Sequence, residues 1–369
     1  VRIAQIANFI GPASGGMRFA VEALGRGYVE AGARRLLVVP GPVDATTSTP
    51  YGDVVQVRAP RVGGAGYRLI VEPWRVVDVL EDFDPTCVEM SDKTTLLPVA
   101  RWARRRGVLT TLFSHERMDD MLAMRTGFDS TSKASIAILN RLLVRSVDQV
   151  VVTSRYAQAE FAAVAASAGC DVVRIPLGVD LETFRPRSWQ PAPTLRLVHA
   201  GRLSREKSPH LAVATALELH RRGVPVELTV YGDGPHRDEL VALAGSGPVR
   251  FAGHVADRTS LSSHLGAADV ALSVCPGETF GLAVLESLAS GTPVVTADRG
   301  GARELVDAAS GDWGRAEAGS LADAVLRVAA RPAGRRRAAA RARAEEFPWR
   351  TTVGRMLDVH AGLAVEAVS

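Results

Sequence analysis

The sequence predicts two α/β domains in tandem, each a doubly wound parallel sheet with helices on both faces. Three observations lead there. Short apolar runs recur at residues 3–8, 35–40, 54–59, 87–91, 108–114, 149–154 and 172–176, separated by helical stretches. These runs are continuous rather than alternating, as in parallel strands buried on both faces. A proline-rich stretch at 184–193 then reads as an extended linker, and the rhythm restarts at 195–200, 226–231, 249–252, 270–274 and 293–297. The 369 residues suit two domains, each large enough for its own core, expected at 1–187 and 188–348. The last segment, 349–368, is amphipathic and expected to be helical.

Composition narrows the function classes. Hydrophobic residues make up 47% and charged residues 23%, which excludes a mainly disordered, collagen-like or coiled-coil chain. The net charge is only +4, and the pI of 9.2 reflects arginine, since Lys93, Lys133 and Lys207 are the three lysines. No basic strand interleaved with aromatics is present, so nucleic acid is not an expected partner. The arginine-rich stretch 331–343 reads either as a solvated face or as a contact for anionic lipid or phosphate. Cys87, Cys170 and Cys275 are odd in number, far apart and without a CxxC, which suggests neither a disulfide framework nor a zinc site. The N-terminus reads as a buried strand rather than a signal peptide, and no apolar run approaches 18 residues. A cytoplasmic protein is expected, with peripheral contact at the inner face of the plasma membrane left open.

Ligands of doubly wound sheets bind beyond the carboxyl ends of the strands, and two such domains facing each other make a cleft. The loops there carry the chemistry. After the first strand, Gly11 to Met17 includes Gly15 and Gly16, whose backbone suits an anion at a helix start or an ordinary βα turn. It is not a GxGxxG, and no acidic residue ends the second strand, which argues against a nicotinamide site. Opening the second domain, Arg202 and Lys207 flank a turn and suit one phosphate pair. Gly232-Asp-Gly-Pro235 and Phe251-Ala-Gly-His-Val255 read as glycine turns or as backbone contacts to a nucleobase. In the loop after 270–274 stands Glu278, followed by Phe280-Gly281-Leu282 and a helix to about 290. Its first-turn N–H groups suit a phosphate or sugar hydroxyl. Glu286 stands on that helix among Leu282, Val284, Leu285 and Leu288, and a carboxylate buried there needs a partner, for which ribose hydroxyls are suitable.

The pattern Glu278-x7-Glu286 around Phe280-Gly281 resembles the signature of retaining glycosyltransferases of family 4. Ser14-Gly-Gly16, Ile175-Pro-Leu-Gly-Val-Asp180, Gly201-Arg202 with Lys207, Gly232-Asp-Gly-Pro235 and Gly300-Gly-Ala-Arg-Glu304 follow the family's order, so the resemblance covers essentially the whole chain. Ala7-Asn8-Phe9, Gly11-Pro12, Ser91-Asp92, Ser114-His-Glu-Arg117 and Gly277-Glu-Thr-Phe-Gly281 are most similar to actinobacterial GDP-mannose-dependent phosphatidylinositol-mannoside mannosyltransferases. The resemblance implies a GT-B fold, the first domain being completed by the helix at about 349–369. It implies a catalytic set of Glu278, His115, Arg202 and Lys207. It assigns donor binding to Gly15, Gly16, Arg202, Lys207, Val255, Glu278, Phe280, Gly281, Leu282 and Glu286. Arg202 and Lys207 would hold the donor diphosphate, Glu286 the ribose and Glu278 the sugar, with His115 lining the sugar from the first domain. Two departures stand out: Leu177 replaces a common Asn before Gly-Val-Asp, and Met17-Arg18 replaces the pattern of some lipid-acceptor relatives, leaving the acceptor open.

The implied reaction moves a hexose, mannose from GDP-mannose, to a glycolipid or small glycoside hydroxyl with retention, by front-face attack. Arg202, Lys207 and the helix start near Phe280 would stabilise the departing diphosphate without a metal or cofactor. A UDP-sugar-dependent transferase with a soluble acceptor, and a non-catalytic sugar-nucleotide-binding protein, are the competing readings.

Overall fold

The computed structural model describes residues 1–8, 10, 15–62, 67–91, 93, 95–115 and 129–363. It is a mixed α/β protein of two compact units. The described residues up to Leu177, with those from Trp349 onward, form one, and Gly178–Pro348 the other.

The first unit runs β1 (Arg2–Ile6), α1 (Gly16–Glu30), β2 (Arg34–Gly41), β3 (Ala45–Thr49), β4 (Gly52–Arg58), the ribbon β5 (Arg61–Val62) and β6 (Tyr67–Arg68), and α2 (Pro73–Phe83). It continues through β7 (Cys87–Met90), α3 (Leu97–Arg105), β8 (Leu109–Ser114), α4 (Asp129–Ser146), β9 (Gln149–Val152), α5 (Arg155–Gln158), α6 (Ala162–Ala168) and β10 (Asp171–Arg174). The sheet order is β3-β4-β2-β1-β7-β8-β9-β10, parallel except for β3 on β4. All seven expected strands form, with ends shifted by up to two residues; β2 is one residue longer at each end. The edge strand β3 escapes a hydrophobic reading because Ala-Thr-Thr-Ser-Thr has no apolar run and is largely exposed.

The second unit runs β11 (Leu195–Ala200), α7 (Pro209–Arg221), β12 (Val226–Tyr231), α8 (Arg237–Ala244), β13 (Val249–Gly253), α9 (Arg258–Ala267) and β14 (Val270–Ser273). Then come α10 (Leu282–Ala289), β15 (Val294–Ala297), α11 (Gly301–Glu304), β16 (Gly311–Gly314), α12 (Ala318–Ala329) and α13 (Ala333–Glu345). The order β13-β12-β11-β14-β15-β16 is parallel throughout. β16 was not expected; Gly-Asp-Trp-Gly is no apolar run, and its place is set by pairing with β15. The stretch 184–193 forms no helix or strand, yet it is no free linker: Phe184 is buried and Trp189 Nε1 donates to Asp269 Oδ1 at 2.9 Å.

The arginines of 331–343 are largely spent inside this unit. Arg336 donates to Ala329 O, Arg337 to Gly266 O and Ala268 O, Arg341 to Ala289 O, and Arg343 to Glu304 O and Leu305 O. These are the terminal carbonyls of α12, α9, α10 and α11, which have no partner within their own helices. Ala340 and Ala344, fully buried, let α13 lie close enough to reach them. The reading of this stretch as a solvated face or an anion contact is corrected for these four arginines.

α14 (Trp349–His360) packs in the first unit, with Trp349 edge-on to Phe19 of α1 at 5.9 Å. It ends at His360 rather than 368, and 364–369 lie outside the described residues. His360 is buried against β7: its Nε2 donates to Glu89 Oε2 at 2.9 Å. Glu89 also accepts from Tyr28 Oη at 2.7 Å and from Gln5 Nε2 at 2.8 Å, and Gln5 in turn takes Arg35 Nε at 2.7 Å. Burial pushes the His360 imidazole down, but Cys87 and Glu89 outweigh it and raise it to about 10. Burial likewise opposes the Glu89 carboxylate, and His360, Gln5 and Tyr28 hold it below its ordinary value. The shifts make the pair ionic, with both Glu89 oxygens hydrogen-bonded, while the buried His360 Nδ1 has no hydrogen-bond partner among the described residues.

Candidate functional site

In the second sheet the strand order turns back at β11, with β12 and β13 laid down on one side of it and β14 to β16 on the other, and this switch opens a crevice beyond the carboxyl ends of the parallel neighbours β11 and β14. The loops after β11 and β14 meet there. After β11, Arg205–Lys207 makes one 3₁₀ turn before α7. Lys207 Nζ donates to Glu278 Oε1 at 2.9 Å and Oε2 at 3.0 Å. Cys275 Sγ, in the same β14 loop, donates to Glu206 O at 3.1 Å. The expected phosphate cation and the expected sugar carboxylate are thus each other's partner, with side chains 41% and 17% exposed. Arg202, half-buried, stands on the β11 loop with its carbonyl accepting from Ser204 N at 3.1 Å.

Neighbouring loops fasten these two. Gly232 has φ +138, and a Cβ there would lie 1.9 Å from Gly201 O, so the β12 loop can press on the β11 loop only without a side chain. Leu203 N donates to Asp233 O at 3.0 Å and His236 N to Leu203 O at 2.9 Å. On the other side, Gly301 N donates to Glu278 O at 2.6 Å, and a Cβ on Gly300 (φ +92) would stand 2.9 Å from Pro276 O. Both glycine motifs therefore serve as backbone seats for the charged loops.

Helix α10 begins at Leu282, with Gly281 as its N-cap and Phe280 buried just before it, so Glu278 is not helical. Glu286 is buried on α10, and its Oε1 accepts from Arg258 Nη2 at 2.8 Å. Burial raises the Glu286 carboxyl above its ordinary value, and Arg258 offsets only part of that rise. The sequence reading called for a partner but missed Arg258, 28 residues away at the start of α9; the signal was the charge demand itself, without an address. Val255 lies half-buried between β13 and α9. Beneath the β11 loop, His199 is buried, its Nδ1 meets Leu272 O at 2.8 Å, and burial lowers its pKa.

The remaining predicted residues belong to the first unit. Gly15 is the exposed N-cap of α1 and Gly16 its first residue; Gly11 to Ser14 lie outside the described residues. His115, just after β8, has Nε2 3.1 Å from Ser91 Oγ, which follows β7. Its ring lies 4.3 Å from Phe113, and burial lowers its pKa to about 4, so it is neutral near pH 7. A buried ion pair, Lys93 Nζ to Glu160 Oε2 at 3.0 Å, adjoins the same β7 loop and was not anticipated. Asp92, Glu116 and Arg117 lie outside the described residues. Among the described residues, no three His, Cys, Asp or Glu side chains are grouped to hold a metal ion, and no helix is long and apolar enough to cross a membrane.

Two family models match: glycosyl transferases group 1 over residues 194–331, and a glycosyl transferase 4-like domain over 15–178. A GDP-mannose-dependent alpha-(1-6)-phosphatidylinositol dimannoside mannosyltransferase of Mycobacterium tuberculosis is 37% identical over 99% of this chain and 97% of its own. The chain belongs to the group 1 glycosyltransferases. Among solved structures, this glycosyltransferase is similar to a sucrose-phosphate synthase from Thermosynechococcus elongatus, with TM-score 0.80, 21% identity and 98% of each chain covered. An Anabaena protein crystallised with UDP and glucose gives 0.74 at 18% identity, covering 98% of this chain and 99% of its own. Both show the GT-B fold for this glycosyltransferase, which is a hexosyltransferase.

Proposed function

We propose that this enzyme transfers mannose from GDP-mannose to a phosphatidylinositol-mannoside-type lipid acceptor, with retention of configuration. The observation that carries the reading is the likeness to the mycobacterial dimannoside mannosyltransferase over nearly the whole of both chains. The second unit's geometry agrees with a donor site. Arg202 and Lys207 take the diphosphate and stabilise the charge that develops on it as the glycosidic bond breaks. Glu278 takes hydroxyls of the sugar, and Glu286 takes the ribose. Val255 and the Phe280 to Leu282 backbone complete the second unit's share of donor binding, and Gly15, Gly16 and neutral His115 are the first unit's residues assigned to the donor. Donor entry trades the Lys207–Glu278 contact for phosphate on one partner and hydroxyls on the other. The lysine end of the pair is open to solvent, so parting it costs about 1 kcal/mol.

Peripheral membrane contact fits α4 better than 331–343. Ile138, Arg141, Leu142 and Arg145 are exposed at the spacing of one helix face, two apolar side chains alternating with two cations. Flotation with phosphatidylinositol-containing vesicles is expected to weaken in Ile138→Ser/Leu142→Ser, and unchanged binding removes this face.

Thermal unfolding with GDP, UDP, ADP and TDP tests the donor, with Glu286→Ala as control. A nucleotide at 100 times its Kd stabilises by about 2.7 kcal/mol, a shift of a few degrees. GDP alone is expected to act, and the variant to lose the effect. A UDP-selective shift discards mannose while keeping the mechanism; no shift with any nucleotide refutes the donor site. Transfer from GDP-mannose to the dimannoside lipid completes the test.

A further inference from the structure

The Gly178-Val-Asp180 turn has no role in the chemistry above, and neither does Arg258. The structure joins them to Glu286. Asp180 Oδ1 accepts from Glu182 N at 3.1 Å and Thr183 N at 3.0 Å, and its carbonyl accepts from Phe184 N at 2.9 Å. This turn delivers Phe184 into the interior, fully buried, where Arg341 Nη1 holds its carbonyl at 2.8 Å. The Arg258 guanidinium lies 4.8 Å over the Phe184 ring, and the Asp180 carboxylate is close enough to feel its charge. From that seat Arg258 Nη2 reaches Glu286 Oε1 at 2.8 Å. No hydrogen bond reaches Glu286 Oε2 among the described residues.

We propose that Arg258 is a positioning residue for nucleotide binding: stacked on Phe184, it holds one oxygen of Glu286 and so aims the other at the ribose hydroxyls. This rests on the reading of Glu286 as the ribose ligand. A guanidinium is a rigid plane with donors in fixed directions, so an aromatic ring beneath it fixes where Nη2 points. A carboxylate held through one oxygen keeps its plane, and its second oxygen accepts in a set direction. A neutral carboxyl on the same buried site would offer fewer acceptors, and the neighbouring cation favours the ionised form. A lysine at 258 would supply the charge without the plane.

Calorimetric binding of GDP and of 2′,3′-dideoxy-GDP to the full chain tests this. The wild type is expected to prefer GDP about tenfold or more, the scale of hydrogen bonds to a charged group. Arg258→Gln is expected to weaken GDP towards the dideoxy value while leaving dideoxy-GDP within about twofold, and Arg258→Lys to recover part of the preference. A folded Arg258→Gln with the wild-type preference overturns the inference and leaves the ribose reading standing. If that variant fails to fold, Arg258→Lys with the full wild-type preference overturns it. A wild type that binds both nucleotides equally, or neither, refutes the ribose reading and the inference with it.

Discussion

Replacing His360 with Gln removes the cation from a pair whose side chains are 0% and 1% exposed. Glu89 then keeps Tyr28 and Gln5 but no buried positive partner on that oxygen. Removing one member of a buried ion pair costs about 3–5 kcal/mol. The rise of His360 from 6.5 to about 10, at about 1.36 kcal/mol per pH unit, sets an upper limit of about 5 kcal/mol. The two routes agree on about 4 kcal/mol, which for a unit of this size is roughly a 10 °C fall in Tm. The pH dependence follows from the direction of the shift. A raised folded-state pKa means the contribution is complete below about 6.5 and is lost as pH rises through about 10. Scanning calorimetry at pH 6.5, 8 and 9.5 should show the wild-type transition of this unit falling towards that of His360→Gln as pH increases. An offset between the two proteins that stays constant from pH 6.5 to 9.5 would refute the ionic description of the pair.

Three further outcomes are expected. Arg202→Ala should lower kcat/KM by about 3 kcal/mol, or 10²–10³-fold, and a variant near wild type would end its assignment to the diphosphate. Transfer should continue in EDTA, because the cations that stabilise the leaving group belong to the chain; loss on chelation that Mg²⁺ restores would contradict this. Gly232→Ala places a Cβ 1.9 Å from Gly201 O at φ +138 and should destabilise the second unit by about 2–4 kcal/mol in urea unfolding, and an unchanged midpoint would show that the loop gives way freely.

What could be read in advance was what repeats locally. β11 and β12 have the bounds predicted for them, because Leu197 and Val198 of one and Val226, Leu228 and Val230 of the other mark out a buried strand in the sequence. β3 and β16 carry no such signal: one is a polar edge and the other is held by its neighbour. The candidate site divides the same way. Glu278 and Glu286 stand out by spacing and apolar context. Their partners, Lys207 at 71 residues and Arg258 at 28, are fixed only by how the sheet folds back on itself. Among so many arginines, nothing local distinguishes Arg258 from one in solvent. The stretch 331–343 was illegible for the opposite reason: a cluster of like charges looks like a surface, and the carbonyls it serves belong to four separate helices.

That arrangement makes the ends of α9, α10, α11 and α12 a shared property of one late segment of the chain. Ordinarily a helix terminus frays by itself, on a timescale and at a cost that concern only its last turn. Here an opening of α13 uncaps all four at once, so their terminal amides should exchange with solvent together and at similar rates. The far end of α10, beyond Glu286, is among them. A synthesis or truncation that stops before Arg336 would therefore leave the nucleotide-side loops in place by sequence but seated on helices with loose ends, and this unit is expected to gain its final rigidity only once the arginine helix has closed over it.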